Sequence, residues 1–529
     1  MRHILRNGQK LASFSLIPPA RNWIWHIPSP RRWSSKLSAL SASIQTAEWK
    51  QNQPVLSDAQ RKTIYALSTP PGKAGVGIIR VSGPDALRVW SAVLRTSIGS
   101  GLAAPTPWKM QRCRVVHPER QDEVLDDGMA IFFRAPKSFT TEDVLELHIH
   151  SGRAIVSAVL KALSSLPSCR PAEPGEFTRR AFQGGRLDLT QVEGLKDLID
   201  AETESQRAVA LRAARGEVHN RFEHLRKDII HCLAMVEALI DFGEGEDIEE
   251  GVFAQAREEA IKLNDTIKSY LSDNRRGEII RSGIRLAIFG PPNAGKSSLL
   301  NFLVQREAAI VTSIPGTTRD ILEVSLDIGG LPVIVADTAG LRQTEDVVES
   351  IGIERARNRV QGSDISLCVL SLPELLNQQT PELSSSVKSL VTPNTYFLLN
   401  KADLLLGPME ERRMKEALMM IPNKSWIVSL TSGEGTSHFL SEFGDSLQEH
   451  FKLQGDLGSA VPLITHARHR AHLETANRFI EAFLQYGAED VVLGAEELRY
   501  AAQAVGKITG AIDVEDVLDA VFKDFCIGK

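Results

Sequence analysis

Hydrophobic spacing changes several times along the chain, and each change marks a new region. The stretch ALSTPPGKAGVGIIRVSG (66–83) opens with proline and glycine and ends in a β-branched run, which predicts a loop feeding a strand at 77–81. Further short apolar runs predict strands at 112–117, 127–133 and 144–149. Three- and four-residue spacing predicts helices at 84–94 and 153–163, so this region reads as α+β. Beyond Pro174-Gly175 the spacing becomes helical, and 189–238 holds no proline. An acidic, glycine-containing stretch at 244–250 predicts a break, with helix resuming over 253–275. A buried-strand run at 285–289 then starts an alternating β/α pattern that lasts to about Phe451, and 462–525 is helical again. The simplest architecture is an α/β domain inserted into a helical domain built from both of its flanks. No period of about 20 to 50 residues is evident, so a repeat solenoid is not expected.

Composition narrows the class. Of 529 residues, 43% are hydrophobic and 24% charged, the balance of a globular protein of several domains. No window reaches the ~18 uninterrupted apolar residues of a membrane span. Five scattered cysteines without a C-x-x-C pair fit neither a disulfide scaffold nor a zinc module. The formal charge of −5 is unevenly spread: residues 1–47 hold seven basic residues, many serines and no acid. That composition predicts an organellar transit peptide, with mitochondrial matrix import as the expectation and cleavage near Arg32-Trp33-Ser34; a basic RNA-binding arm is the other reading. Removing the leader takes the charge to −12, so a polyanion requires a local patch or a partner. The Arg212, Arg215, Arg221 and Arg226 stretch is one candidate, weighed against an ordinary solvated helical face.

The chemistry is concentrated in the α/β region. Gly290-Pro-Pro-Asn293-Ala294-Gly295-Lys296-Ser297-Ser298 fits G-x-x-x-x-G-K-S directly after the strand RLAIF. Such a loop turns backbone N–H groups toward phosphate oxygens, places the Lys296 cation on the β and γ phosphates, and offers the Ser297 hydroxyl to Mg²⁺. Asp337-Thr338-Ala339-Gly340 follows the strand PVIVA. There the aspartate can reach Mg²⁺ through water and the Gly340 N–H can sense a γ-phosphate. Asn400-Lys401-Ala402-Asp403 follows the strand TYFLL, and its aspartate can accept both N1–H and N2–H of guanine, donors that adenine lacks. With Thr317-Thr318 as a first switch and Ser429-Leu430 behind the base, the set predicts a GTPase. Leu341 stands where a water-orienting glutamine often stands, so hydrolysis needs another device. Asn293, beside the oxygen-rich loop AAIVTSIPGTTRD, suits a monovalent cation next to the phosphates, where K⁺ would supply the charge of an arginine finger. The other reading of Asn293 is a loop cap.

Taken together, these residues resemble the MnmE/TrmE family of tRNA-modification GTPases in its mitochondrial form. The resemblance covers nearly everything after the leader. It rests on TPPGKAGVGIIRVSG, EDVLELHIHSG, PGEFTRRAFQGGRLDLTQVEGLKDLI, GPPNAGKSSLLN, AAIVTSIPGTTRD, DTAGLR, VESIGIERA, NKAD and the terminal FCIGK. The implied organisation is a transit peptide at 1–47, an α+β folate-binding and dimerisation domain at 58–184, helical segments at 185–282 and 452–529, and an inserted Ras-like G domain at 283–451. The resemblance implies a homodimer and a GTPase driven by K⁺- and GTP-dependent pairing of G domains. It implies work with an FAD-dependent partner of the MnmG/GidA family to install an aminomethyl-type group at C5 of the tRNA wobble uridine. In mitochondria the product would be a carboxymethylaminomethyl or a taurinomethyl uridine.

Residue roles follow from the same resemblance. Asn293, Thr312, Ile314 (through its carbonyl) and Thr317 would hold K⁺; Ser297 and Thr318 would hold Mg²⁺. Glu349 matches the family's catalytic glutamate, which polarises the attacking water through a second water; its plain reading is a solvated acid starting a helix. Arg80, Glu146, Arg186 and Lys529 match the ligands of 5-formyltetrahydrofolate or a related one-carbon folate. A pterin presents a guanine-like donor edge to Glu146, and the glutamyl tail presents carboxylates to basic groups. Cys526 is placed near the folate, as a participant in modification chemistry or as part of a structural plug; C-a-a-X prenylation is a weak reading of CIGK. Three departures stand out: Ser151 replaces a second glycine of HGG, SLTS replaces S-A-[KR] after Val428, and no aspartate ends the 369–372 run. Two other functions remain in competition. An Era-like regulatory GTPase of mitochondrial ribosome assembly would carry a KH-type module, for which no G-x-x-G loop is visible. A folate-dependent aminomethyltransferase would transfer one-carbon units without GTP.

Overall fold

The computed structural model describes residues 62–96, 100–101, 103–242, 246–273, 275–306, 310–312, 323–335, 349–377, 383–405, 418, 421, 423–451, 462–512, 522, 525 and 528. The predicted leader lies outside them.

The N-terminal region forms a mixed sheet with α1 (Ala86–Val93) and α2 (Arg153–Ser164) packed against it. Its strands are β1 (Thr63–Leu67), β2 (Gly77–Ser82), β3 (Leu94–Arg95), β4 (Gln111–Val116), β5 (Val124–Phe133), β6 (Val144–Ile149) and β7 (Cys169–Pro171), in the spatial order β3-β4-β5-β6-β2-β1-β7. All neighbours are antiparallel except β1 and β7. Alternation sends Ile79, Val81, Leu145, Leu147 and Phe132 into one core, where Trp90 of α1 joins them, and leaves Arg80 and Glu146 on the other face, directly opposite each other across β2 and β6. Short helix α3 (Glu176–Gln183) follows.

The helical run does not form one long element. It breaks into α4 (Leu189–Asp200), α5 (Glu204–Ala214) and α6 (Glu217–Phe242). Asp188 and Thr203 each close a reciprocal capping box, with Gln191 and Gln206 respectively, and each box fixes a helix start. Such caps contribute on the order of 1 kcal/mol. The predicted acidic break is also corrected: α7 (Glu246–Leu271) already includes residues 246–250. Acidic residues are favourable in a first helical turn because the N-terminal end of the dipole is positive. A short α8 (Arg276–Ser282) leads into the inserted domain.

That domain is a twisted sheet ordered β14-β13-β12-β8-β11-β10-β9. Its strands are β8 (Ile284–Phe289), β9 (Ile310–Thr312), β10 (Glu323–Ile328), β11 (Leu331–Val335), β12 (Ile365–Ser371), β13 (Thr395–Asn400) and β14 (Ser425–Ile427). From β14 to β11 the neighbours are parallel, whereas β10 pairs antiparallel with β11 and β9. Among the described helices here are α9 (Lys296–Arg306), α10 (Glu349–Gln361), α11 (Leu372–Leu376), α12 (Ser385–Lys388) and α13 (Thr436–His450). Order reverses between β8 and β12, and a doubly wound sheet binds ligands at such a point.

After the insertion come α14 (Ala467–Phe483) and α15 (Val491–Thr509). They share one core with α6 and α7, as Phe222, Ile229 and Val236 meet Ala260, Ile267, Leu473, Ile480, Leu498 and Val505. Helices from both flanks of the insertion therefore bury a common set of faces. Farther on, Phe522 and Phe525 pack with Val192, Phe182 and Leu187. The fold is thus multidomain, with an α+β N-terminal part, a discontinuous helical part and an inserted α/β P-loop domain. No described helix is long and apolar enough to cross a membrane.

Candidate functional site

The phosphate loop sits between β8 and α9. Gly290 has φ +146, and an added Cβ would overlap the Val369 carbonyl; Gly295 has φ +105, and its Cβ would overlap the Asn400 side chain. Glycine is therefore required where the loop presses against β12 and β13. Asn293 adopts the left-handed φ of +59, a conformation asparagine tolerates, and stays exposed while Ala294 is buried. The Lys296 ammonium donates to the carbonyls of Gly290 (2.9 Å) and Pro291 (2.6 Å), which holds it within the loop. Burial draws it below the usual lysine range. Ser297 and Ser298 occupy the exposed first turn of α9, where backbone N–H groups and the helix dipole favour an anion.

Asn400 joins this loop to the segment that the sequence predicts to read the base. Its carboxamide donates to the Ala294 carbonyl at 3.0 Å and accepts from the Leu430 N–H at 3.1 Å. Asp403 is exposed, and the buried Ser429 hydroxyl donates to its Oδ1 at 2.6 Å. Ser429 also accepts from the Ser432 N–H at 3.1 Å, so the SLTS segment is locked behind the carboxylate despite its unusual sequence. Lys401 has φ +68 and reaches toward Glu374 at 3.5 Å. The arrangement leaves Asp403 with the lone pairs that two guanine N–H donors need.

Other predicted residues fall at or beyond the described limits. Thr312 ends β9 and Glu349 begins α10, each described by its backbone alone. Ile314, Thr317, Thr318, Asp337, Thr338, Ala339, Gly340, Cys526 and Lys529 lie outside the described residues.

On the face of the N-terminal sheet opposite that core, the Arg80 Nε donates to Glu146 Oε1 at 2.9 Å. The guanidinium lies over Phe139 (5.4 Å) and Phe177 (5.7 Å). Burial opposes the Glu146 charge, but His148 and Arg80 prevail and hold its carboxyl below the usual range. Arg186 is exposed in the turn after α3. Ser151, in place of a glycine, ties down the Pro-Gly loop: its hydroxyl donates to the Gly72 carbonyl at 3.0 Å and its N–H to that of Ala74 at 3.2 Å. Nearby, Glu176 and Arg180 of the PGEFTRRAF motif are buried in an ion network with Arg170 and Glu142, a scaffold rather than a ligand surface.

The predicted basic face needs correction, because Arg226 is buried and paired with Glu223, whereas Arg215 and Arg221 are exposed and Arg212 is half-buried. Burial pushes the Cys113, Cys232 and Cys368 thiols up to about 12, which marks them as packing residues. Sequence reasoning missed the anchoring of Asp403 by Ser429 and the return of residue 528 to β1, because hydrogen bonds between distant segments leave no local pattern.

Two family models match the chain: the MnmE helical domain over residues 189–526, and the GTP-binding protein TrmE N-terminus over residues 63–186. Full-length relatives agree. The chain is 43% identical over 477 residues to the mitochondrial 5-taurinomethyluridine-[tRNA] synthase subunit GTPB3 of Danio rerio, covering 88% of this chain and 93% of that one. It is 45% identical over 478 residues to the tRNA modification GTPase MnmE of Parvibaculum lavamentivorans, covering 88% and 100%. With the mitochondrial tRNA modification GTPase gtpbp3 of Dictyostelium discoideum it shares 40% identity over 501 residues, covering 90% and 97%.

Proposed function

The chain belongs to the MnmE/TrmE family of tRNA-modification GTPases, and from that premise we propose that it is the potassium-dependent GTPase that drives C5 modification of the wobble uridine in mitochondrial tRNAs. It is a GTPase of tRNA modification. The single observation that carries the nucleotide reading is Asn400, whose one side chain spans the phosphate loop at Ala294 and the base-reading segment at Leu430. That bridge sets phosphate and guanine recognition at a fixed separation.

Mg²⁺ would be held by Ser297 and Thr318, with Asp337 through water. The Ser297 hydroxyl on an exposed helix start suits a hard cation beside phosphate. For K⁺, the supporting features are the exposed, left-handed Asn293 and the hydroxyl-rich segment 312–318, with Thr312, Ile314 and Thr317 as the other ligands. Its chemistry would be to offset developing negative charge on the phosphates, with Glu349 orienting water from the start of α10.

The folate reading rests on Glu146, an ionised carboxylate flanked by Arg80, Phe139 and Phe177: acceptor, cation and apolar walls suited to a pterin. Arg186 and Lys529 would engage the glutamyl carboxylates, and Cys526 would stand beside the carried one-carbon unit. A homodimer acting with an FAD-dependent MnmG/GidA-type partner in the mitochondrial matrix completes the account. Names of the mitochondrial relatives and the acid-free leader support that location. The taurinomethyl group in the name of the fish relative favours that substituent over carboxymethylaminomethyl.

Two experiments test this. Nucleosides from mitochondrial tRNAs of cells lacking the protein should lose the C5 substituent at the wobble uridine; intact tRNA with defective ribosomal subunits would favour the ribosome-assembly function instead. Purified protein should hydrolyse GTP at least about tenfold faster in K⁺ than in Na⁺ at equal ionic strength, and Asn293→Ala should abolish the difference. Equal rates in both salts would remove the cation from the mechanism.

A further inference from the structure

The hairpin of β10 and β11 turns at Gly329 and Gly330. In sequence, the first predicted switch, Thr317-Thr318, ends five residues before the start of β10, and Asp337 follows β11 by two residues. Both predicted switches are therefore joined to this hairpin by short lengths of chain, and its turn is held by the helical domain. The Ser205 hydroxyl, buried at the start of α5, donates to the Gly330 carbonyl at 2.6 Å. One turn along α5, Val209 enters the G-domain core with Leu331, Val333 and Ile280. Gln206 donates to the Arg281 carbonyl at 3.1 Å, and the Arg281 Nε donates to Asp197 of α4 at 2.8 Å.

From α4 the contacts continue in two directions. Asp197 Oδ2 faces His466 at 3.5 Å, and Glu193, one turn earlier, accepts from Arg468 through both oxygens (3.0 and 2.9 Å) and meets His469 at 2.8 Å. Arg468 in turn donates to the carbonyls of Lys507 and Ile508 at the end of α15, the helix that precedes the C-terminal tail. On another side of α4, Val192 packs directly on Phe522 and Phe525 of that tail.

Glu193, His466 and His469 also place ligand-type atoms within 4.8 Å of one another. The cluster is closed without an ion: Arg468 balances the Glu193 charge, and His469 Nδ1 is buried without a hydrogen-bond partner. Metal bound at Nε2 would leave Nδ1 as a buried unpaired donor, whereas an Nε2–H directed at Glu193 leaves only an unpaired acceptor.

We propose that α4 and α5 couple the switch-bearing hairpin to the C-terminal tail, with Ser205 and Asp197 as the positioning residues through which nucleotide state sets the tail beside the folate-type site. The proposal rests on the tRNA-modification function given above. Both residues act through others, and neither touches nucleotide.

The test uses the full-length protein with Ser205→Ala, Asp197→Asn, and the charge exchange Asp197→Arg with Arg281→Asp. Hydrogen exchange of α4, α5 and the 522–529 tail is compared with GDP and with a non-hydrolysable GTP analogue. GTP turnover and tRNA modification with the FAD-dependent partner are measured alongside. In the wild type the tail's exchange should respond to nucleotide. In Ser205→Ala and Asp197→Asn that response should vanish and modification should drop about tenfold, while GTP turnover stays within about twofold, and the charge exchange should recover part of the loss. Ser205→Ala removes one hydroxyl and keeps the test open if Asp197→Asn does not fold. Nucleotide-dependent exchange that persists in both single variants, or a wild-type tail indifferent to nucleotide, would overturn the coupling. A wild-type protein that relays the nucleotide signal but modifies no tRNA would instead overturn the function and leave the coupling standing.

Discussion

The Ser68 hydroxyl donates to the carbonyl of Gly528 at 2.9 Å, joining positions 460 residues apart. Residue 528 thereby lies at the end of β1, two positions from Ala66, which pairs with Arg80. Residue 528 is therefore tethered to the sheet that carries Arg80 and Glu146.

Gly528 has φ +98, and an added Cβ would overlap the Leu67 carbonyl. Gly528→Ala is expected to displace the tail, weaken 5-formyltetrahydrofolate binding about tenfold by calorimetry, and leave GTP turnover unchanged. Ser68→Ala should do the same more mildly, since it removes one hydrogen bond. Unaltered folate affinity in both would detach the tail from that site.

Guanine selection should depend on Ser429 as well as on Asp403. Ser429→Ala removes a hydroxyl donor from a carboxylate, an interaction of about 1.5 kcal/mol, so GDP affinity should fall about tenfold. Discrimination against adenine nucleotides should narrow with it in competition titrations. Unchanged GDP binding would mean that the carboxylate holds its position unaided.

Acid should destabilise the protein through the cluster at the start of α14. Burial lowers His466 to about 3, whereas an unfolded histidine titrates near 6.5. Between those values the unfolded chain takes up a proton that the folded chain does not, so stability is present above about pH 6.5 and is lost as pH falls. Burial opposes the Glu193 charge, but His469 and Arg468 prevail and hold its carboxyl below the usual range. It adds a loss of the same sign once pH drops below about 4.3, where an unfolded glutamate protonates. From pH 7.5 to 5 the unfolding free energy should fall by about 2 kcal/mol through His466; burial lowers His472 to about 4 and adds a loss of the same sign, so His466→Gln should remove only its own share of the pH dependence. A wild-type midpoint that does not move with pH would contradict the assignment.

What the sequence makes legible follows the range of each signal. The phosphate loop and Asn400-Lys401-Ala402-Asp403 are each contiguous motifs after strands whose apolar runs are unmistakable, so their place in the fold can be read directly. The discontinuous helical domain is legible because helical spacing stops and resumes around the insertion. Breaks inside 189–242 are harder: one depends on the capping box of Thr203 and the other falls at Gly216, whose φ is +87, and both are local features set within continuous apolar spacing. Charge alone does not distinguish a solvated arginine from one buried beside Glu223, so in sequence Arg226 reads as one of a basic stretch. Nothing local predicts that Phe522 meets Val192 or that Ser205 meets Gly330, since tertiary packing alone brings those segments together.

The most direct measurement is mass analysis of wobble-uridine nucleosides after incubating unmodified tRNA with this protein, its FAD-dependent partner, a one-carbon folate, Mg²⁺ and K⁺. Reactions run with GTP, with GDP and with a non-hydrolysable GTP analogue separate hydrolysis from binding. The C5-substituted uridine is expected with GTP and not with GDP or the analogue. Equal product with the analogue or with GDP would contradict the claim that GTP hydrolysis drives the modification.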